Sequence, residues 1–470
     1  MVEPLWTSEE IVEATGGRLA GTPFAAQGVS IDSRAVTPGD LFVALSVNRD
    51  GHDYVAAAMG EGACGAMTER AMGGSCVVVD DTMKGLQCLG EAARRRASGA
   101  RRGAITGSVG KTSVTQVVRA GLERASLEGF GPAHGSVKSY NNHIGVPLTL
   151  ARMPKRTRRA IFEIGMNHAG EIAPLSRMVR PQAVAITTVE AVHVENFADG
   201  EAGVARAKAE IFAGMERGGA AVLNADNRWF DYLLAEARKI GAKPRVFGRA
   251  KHADAKLTRF APARGGASVE ACIDGTTVEF PIRLSADHWG PMSLCALLML
   301  QALDVDLATG LAALSEFEPL EGRGAQRQIH GPGGVFTLID ESSNASPVSM
   351  AAALDNLGAR SPTGRRIAAL SDMLELGGEA AARHAELAAK IETNDIAMVF
   401  CAGPLMKSLW RALPPARRGG WAQTAAELAP MLAGAVRAGD VVVVKGSRAS
   451  NARVLVESLI ALDLATGEGR

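Results

Sequence analysis

The sequence lacks any close pairing of cysteines. Its 470 residues include 6 cysteines, and none of them belongs to a C-x-x-C pair. Zinc sites and disulfide frameworks usually show such spacings, so we expect neither. A reducing compartment is then the default, and we expect a cytoplasmic protein.

Strong net charge and long apolar runs are also missing. The formal net charge is +1, so nothing favours a nucleic-acid partner or an anionic membrane surface. No apolar run reaches the roughly 18 residues of a membrane-spanning helix. Glu3, Glu9 and Glu10 stand where a secretory signal carries basic residues. We expect no membrane insertion, and because nothing demands an assembly we expect a monomer.

What the sequence does contain is an alternation of strand-like and helical patterns. The length indicates about three domains, and we place them at residues 1–98, 99–319 and 320–470. Apolar runs separated by helical patterns in the second and third segments predict mostly parallel sheets covered by helices. Asp274-Gly275 lies between two runs of alternating apolar residues and predicts a hairpin. The fold class is therefore α/β.

Residues 105–114, ITGSVGKTSV, predict a phosphate-binding loop between a strand and a helix. Lys111 can reach the β- and γ-phosphates of a nucleotide, and the Thr112 hydroxyl can bind Mg²⁺. The usual loop has a glycine where Ile105 stands, so a glycine-rich turn with a solvated lysine remains an alternative. The residues that would bind ATP here are Thr106, Gly107, Ser108, Val109, Gly110, Lys111, Thr112 and Ser113.

Candidate partners of this loop follow later strands. Glu163 ends an apolar strand, where it is either a Mg²⁺ ligand or a residue of an edge strand facing water. His193, after the next strand, is either a metal ligand or a loop residue. Lys208 falls in the apolar stripe of a helix. It either extends past the core to water or is a buried amine that, as a carbamate, ligates metal.

Two adjacent amides, Asn141 and Asn142, precede a predicted helix that starts near Ile144. Neither residue type favours the interior of a helix or strand. They are either a helix cap or contacts to a substrate.

In order along the chain, these segments resemble the Mur ligase family almost from end to end. The strings that carry the resemblance are IDSRAVTPGDLFVAL, RDGHDYVAAAMGEGA, TGSVGKTS, SYNNHIGVPLTLARMP, FEIGMNHAGEI, HVENF, ARAKAEIF, LNADN, EGRG, LIDESSNASPVSMAAAL, LSDMLELGGEAAARH and VVKGSR. Within the family, EIGMN and SDMLELG are most similar to the ligases that add D-alanyl-D-alanine.

The resemblance implies an activity and a domain plan. ATP would phosphorylate the terminal carboxylate of UDP-N-acetylmuramoyl-tripeptide, and the amine of D-alanyl-D-alanine would attack the acyl phosphate. This is a step of cytoplasmic peptidoglycan precursor synthesis. The implied domains are a small α/β UDP-sugar-binding domain, a central P-loop-type ATPase domain and a C-terminal Rossmann-like domain.

The resemblance also implies roles for individual residues. Lys111 would contact the transferring phosphate. Thr112 and Glu163 would hold one Mg²⁺, and His193 and a carbamylated Lys208 would hold a second. The remaining implied contacts are Ser33, Arg34, Asn141 and Asn142 for the UDP-sugar substrate, and Arg323 and Asp340 for ATP.

Some positions depart from the family pattern. Ser343 and Ser346 replace a tyrosine and an asparagine, and Ser371 replaces a glycine. Met292 stands where an asparagine near the adenine is expected, and Gly290-Pro291 disturbs the expected helix start. Two alternatives therefore stay open: another Mur-type amino-acid ligase, and a partly degenerate nucleotide-binding paralogue.

Overall fold

The computed structural model describes residues 3–47, 49–137, 139–192, 194–263 and 265–467. The predicted metal ligand His193 lies outside the described residues. The chain divides into two compact units. The first comprises Met1–Thr188, Ala205–Phe247 and Cys295–Ala313, and the second comprises Val189–Val204, Gly248–Leu294 and Leu314–Arg470.

The N-terminal segment is built on a sheet with strand order β2-β7-β6-β5-β4, in which only β2 runs antiparallel to its neighbour. Its elements are β1 (Trp6–Thr7), α1 (Ser8–Thr15), β2 (Arg18–Ala20), β3 (Ala25–Ala26), β4 (Gly28–Ser30), β5 (Asp40–Val43), α2 (Val55–Gly60), β6 (Gly65–Thr68), β7 (Cys76–Val78) and α3 (Thr82–Arg96). The short pair β1 and β3 forms a separate antiparallel ribbon.

One helix of this segment is shorter than its composition predicts. The alanine-rich stretch 55–67 predicts a single helix, but α2 ends at Gly60 and β6 begins at Gly65. β6 is buried along its whole length and pairs with both β5 and β7. Tertiary pairing therefore overrides the helix propensity of the alanines.

The central segment contains a parallel sheet with strand order β13-β12-β11-β8-β10-β9. Its elements are β8 (Arg101–Thr106), α4 (Lys111–Ala125), β9 (Ala133–Gly135), α5 (Gly145–Ala151), β10 (Arg159–Glu163), α6 (Ile172–Val179), β11 (Ala183–Ile186), α7 (Glu201–Ala209), β12 (Ala220–Asn224), α8 (Phe230–Lys239) and β13 (Lys243–Gly248). β8 and β10 lie side by side, so their carboxyl ends share one edge of the sheet.

Three antiparallel strands and two helices complete this segment. They are β14 (Ala255–Ala263), β15 (Gly266–Ile273), β16 (Thr276–Ile282), α9 (Trp289–Ala302) and α10 (Leu307–Glu316). The predicted hairpin is confirmed, since Asp274 and Gly275 have φ of 49° and 82° between β15 and β16. The expected disturbance at Gly290-Pro291 is absent, because α9 starts at Trp289. Pro291 thus falls in the first turn, where its missing N–H removes no helical hydrogen bond.

The C-terminal segment has the strand order β17-β18-β22-β19-β20-β21, parallel except for the β17–β18 hairpin. Its elements are β17 (Ala325–Gly331), β18 (Gly334–Glu341), α11 (Pro347–Gly358), β19 (Arg366–Ser371), α12 (Ala380–Ala385), α13 (Leu387–Thr393), β20 (Met398–Ala402), α14 (Met406–Ala412), β21 (Arg418–Ala422), α15 (Ala425–Ala435), β22 (Val441–Lys445) and α16 (Arg453–Gly467). Helices cover both faces and build two apolar cores.

The α/β class is confirmed. Each larger sheet lies inside one of the segments 1–98, 99–319 and 320–470, although the domain boundaries themselves stay predictions. Among the residues that the structure describes, no helix has the length and apolar character needed to cross a bilayer.

Candidate active site

The glycine-rich loop joins β8 to α4, as the sequence predicts. Gly110 occupies the N-cap of α4 with φ of 85°, a conformation that glycine adopts without strain. Gly107 has φ of 150°, and a Cβ there would clash with the side chain of Thr187. The loop therefore needs glycine at both positions, and it leads directly into the positive end of a helix.

Lys111 folds back over this loop. Its Nζ donates to the carbonyl oxygen of Gly107 at 2.6 Å, and the side chain is half-buried. A cation held across a turn of backbone N–H groups forms a site for phosphate oxygens. The alternative of a freely solvated lysine does not match this geometry.

The loop is supported from the ends of neighbouring strands. Thr187 Oγ1 donates to the carbonyl of Val109 at 2.6 Å, and the N–H of Ser108 donates to the carbonyl of Thr188 at 2.8 Å. Asn227, in the LNADN string, donates from Nδ2 to Thr188 Oγ1 at 3.0 Å. Sequence reasoning assigned no role to these residues, and only their position after apolar strands could have indicated one.

Glu163 lies at the carboxyl end of β10 and is completely buried. Its Oε1 accepts from Thr112 Oγ1 at 2.9 Å and from Asn141 Nδ2 at 2.7 Å. Its Oε2 is buried with no hydrogen-bond partner in the described part of the chain. The edge-strand alternative is wrong, because β10 pairs with both β8 and β9.

An unpartnered, buried carboxylate oxygen is costly unless it meets a cation or a donor. Here it belongs to a carboxylate that already contacts the hydroxyl of Thr112. Oxygen ligands of this kind suit Mg²⁺. The residues present therefore fit the predicted metal ion.

Lys208 is buried in α7, with 2% of its surface exposed. Burial lowers the pKa of its amine well below the usual value, and the charge of nearby Lys111 lowers it further. The alternative in which the amine reaches solvent does not match this burial. A lowered pKa favours the uncharged amine, which is the form that adds CO₂.

The two adjacent asparagines have different partners. Asn142 Oδ1 accepts from the N–H groups of Ile144 and Gly145 at 3.2 and 2.9 Å, so it caps the start of α5. Asn141 instead contacts Glu163. The cap alternative thus describes Asn142, and neither residue is shown to contact a substrate.

Ser33 and Arg34 lie in a 3₁₀ turn of the N-terminal segment, where Ser33 is half-buried and Arg34 is exposed. Arg34 forms two side-chain hydrogen bonds with Asp32, at 2.9 and 2.8 Å, which lower the pKa of that carboxyl. Their role toward the UDP-sugar stays a prediction.

Asp340, in the second unit, is the penultimate residue of β18 and is buried. Its Oδ2 accepts from the N–H of Gly322 at 2.8 Å, and its Oδ1 accepts from the hydroxyl of Ser342 at 2.6 Å. It therefore fixes the shape of the EGRG turn that carries the half-buried Arg323. Both oxygens are occupied by the protein, so a direct contact to ATP stays a prediction.

The departures from the family pattern have local explanations in part. Ser346 caps α11: its hydroxyl accepts from the N–H of Ser349, with Pro347 in the first turn. Met292 is buried in α9 with 7% exposure. Ser343 donates its N–H to the carbonyl of Gly322.

A strand–loop–helix cradle, a buried carboxylate with an open oxygen and a buried lysine define a phosphate-binding α/β enzyme. Residues 105–300 match the Mur ligase middle domain, and residues 327–448 match the Mur ligase, glutamate ligase domain. The chain belongs to the Mur ligase family.

Within this family, the chain is similar to individual ligases and to a solved structure. The UDP-N-acetylmuramoyl-tripeptide–D-alanyl-D-alanine ligase of Escherichia coli K12 is 31% identical, covering 84% of this chain and 86% of its own. The ligase of the same name from Rickettsia prowazekii is 28% identical, covering 94% and 97%. A crystal structure of MurF from Acinetobacter baumannii superposes with a TM-score of 0.84 at 25% identity, covering 98% and 99%.

Proposed function

We propose that this chain is the ATP-dependent ligase that joins D-alanyl-D-alanine to UDP-N-acetylmuramoyl-tripeptide in cytoplasmic peptidoglycan precursor synthesis. The observation that carries the proposal is the grouping of Lys111, Thr112 and Glu163 at one sheet edge, with Lys208 close enough for the Lys111 charge to lower its pKa. The likeness to ligases of that name supports the substrate assignment.

The reaction brings two anions together. The tripeptide carboxylate attacks the γ-phosphorus of ATP, and ADP leaves. The amine of D-alanyl-D-alanine then attacks the acyl carbon, loses a proton, and displaces inorganic phosphate. Each step needs neutralised charge and aligned reactants.

The residues of the loop supply both requirements. The N–H groups of the turn and the N-terminus of α4 bind the phosphate chain. Lys111 exchanges its contact with the Gly107 carbonyl for one with the transferring phosphate. A charge-assisted contact of this kind strengthens as negative charge moves onto the phosphoryl oxygens.

The metal ligands offered by the described residues are the Thr112 hydroxyl, the open oxygen of Glu163 and, as a carbamate, Lys208. Mg²⁺ bound there would withdraw charge from phosphate oxygens. Carbamylation joins the uncharged amine of Lys208 to CO₂ with loss of one proton, and it converts a buried amine into an oxygen ligand.

Phosphate release from ATP tests the assignment. We expect release only when UDP-N-acetylmuramoyl-tripeptide and D-alanyl-D-alanine are both present. Release with a single amino acid in place of the dipeptide would instead identify another Mur-type ligase. No release under any condition would identify a nucleotide-binding paralogue without ligase activity.

A further inference from the structure

The adjacent amides of Asn141 and Asn142 have the same chemistry and different partners. Asn142 caps a helix through its carbonyl oxygen. Asn141 donates from Nδ2 to Glu163 Oε1 at 2.7 Å. Although the two residues are adjacent, the side chain of Asn142 stabilises the start of a helix, whereas the side chain of Asn141 contacts a candidate metal ligand.

We propose that Asn141 is a positioning residue for Glu163: it holds Oε1 so that Oε2 is the oxygen offered to Mg²⁺. The inference rests on the proposed function, because it assumes that this site binds Mg²⁺ with a nucleotide. It assigns Asn141 to the metal centre rather than to the UDP-sugar substrate.

The need for a positioning group follows from the carboxylate itself. The terminal torsion of a glutamate is broad, so the side chain alone does not fix the plane of its carboxylate or the direction in which an oxygen points. At Glu163 the donors of Thr112 and Asn141 both contact Oε1, while Oε2 has no partner among the described residues. Two hydrogen bonds to one oxygen favour a single orientation and leave the other oxygen open.

Asn141 is itself fixed by the end of the strand that carries Glu163. Its carbonyl oxygen accepts from the N–H of Gly165 at 2.8 Å. A Cβ at Gly165 would lie 2.9 Å from the side-chain amide of Asn141. Because glycine has no Cβ, the amide can pack closely against the backbone at this position. The backbone contact does not depend on the side chain and survives substitution of Asn141.

Groups that hydrogen-bond to a metal-binding carboxylate typically contribute about 10–100-fold to metal affinity. A group that only contacted the sugar substrate would leave metal affinity unchanged. The two roles therefore predict different measurements on the same variant.

The test compares Asn141→Ala with Asn142→Ala in the full chain. Mn²⁺ binding in the presence of ADP is followed by electron paramagnetic resonance, which requires no turnover. We expect Asn141→Ala to weaken Mn²⁺ binding by about 10–100-fold with the KM for UDP-N-acetylmuramoyl-tripeptide unchanged. Asn142→Ala is the matched control: its melting temperature should fall through loss of the cap, with Mn²⁺ affinity unchanged.

A raised KM for the UDP-sugar with wild-type Mn²⁺ affinity in Asn141→Ala would overturn the inference and restore a substrate contact. If that variant does not fold, Asn141→Leu, which keeps the side-chain volume and removes the donor, is measured instead, and wild-type Mn²⁺ affinity in it overturns the inference equally. Failure of the proposed function is distinguishable, because the wild-type protein would then release no phosphate with the two substrates.

Discussion

The carboxyl edges of the central and C-terminal parallel sheets differ in how completely their polar groups are satisfied. At the central sheet, Glu163 keeps one buried oxygen without a partner in the described structure. The causes of the lowered pKa of Lys208 are burial, which is the larger, and the like charge of Lys111. At the C-terminal sheet, Asp340 accepts hydrogen bonds at both oxygens, and Lys445 donates to Glu341 and to the Asn344 carbonyl.

The difference separates groups prepared for a ligand from groups that shape a loop. Buried polar groups are normally paired within the protein, so an unpaired one indicates a missing partner. The central edge therefore holds the candidate chemistry. The C-terminal edge uses the same residue types to hold its turns in place.

The largest effect is expected from Lys111→Ala. Loss of a charge-assisted contact to the transferring phosphate should abolish measurable turnover, a fall in kcat of at least about 10²–10³-fold that no added ligand restores. Steady-state rates with both substrates measure it, and circular dichroism checks the fold. Turnover near the wild-type rate would refute the phosphate-loop assignment.

Lys208→Ala should come next. Removal of the amine, and with it the carbamate, should abolish measurable turnover, and added short-chain carboxylic acids should partly restore it by supplying a ligand oxygen. Rates with and without acetate measure the rescue. A variant that is active without acetate would contradict the carbamate, because the side chain would then serve only packing.

Paired acid-to-amide changes test the comparison itself. Glu163→Gln keeps an acceptor for Thr112 and Asn141 and removes a buried charge, so its unfolding free energy should hold or rise while turnover falls. In Asp340→Asn one of two carboxylate oxygens that both accept hydrogen bonds is replaced by an amide group that cannot accept. The free energy of unfolding of this variant should therefore be about 1–3 kcal/mol lower than that of the wild type. Urea unfolding measures both, and equal losses of stability in the two variants would remove the distinction.

The smallest effect concerns pH. His384, fully buried, accepts from the N–H of Met373 and donates to the Ala380 carbonyl. Burial lowers its pKa below 6.5, outweighing the Ala380 hydrogen bond and the charge of Asp372, which raise it. Below pH 6.5 the imidazole of His384 therefore binds a proton more readily in the unfolded chain than in the folded one. The free energy of unfolding decreases as the pH is lowered, by at most about 1.4 kcal/mol per pH unit.

His384→Gln is the matched variant, since glutamine keeps a donor and an acceptor but does not titrate. The difference in unfolding free energy between wild type and variant, measured from pH 7.5 to 5.5, should shift in favour of the variant as pH falls. A constant difference would show that His384 titrates alike in both states. Burial raises the pKa of Asp372, which acts on stability with the opposite sign, but wild type and variant both carry Asp372, so its contribution largely cancels in the difference.

Local patterns predicted much of the site. The loop of residues 105–114 follows from glycine conformation and the change from strand to helix. The apolar neighbours of Glu163 and Lys208 made burial one of two alternatives for each, and the fold decides between burial and exposure to water. The different roles of Asn141 and Asn142 could not be predicted, because both residue types suit a cap and only the fold decides which one faces Glu163. Thr187 and Asn227 support the loop from strands that lie close in space but far along the chain, and no local pattern contains such a relation.

The fold shows the same division. Strands and the Asp274-Gly275 hairpin follow from periodicity and turn chemistry. The early end of α2 does not, because β6 exists only through pairing with strands from other parts of the chain. The hydrogen bond that Asp340 Oδ2 accepts likewise comes from the N–H of Gly322, in a turn eighteen residues away along the chain.

The transfer of carboxyl oxygen during the reaction tests the central claim most directly. The wild-type protein would be given ATP, D-alanyl-D-alanine and UDP-N-acetylmuramoyl-tripeptide labelled with ¹⁸O in its terminal carboxylate. If that carboxylate attacks ATP to form an acyl phosphate, the inorganic phosphate released carries one labelled oxygen, detectable by mass spectrometry. Unlabelled phosphate accompanying full product formation would contradict the account.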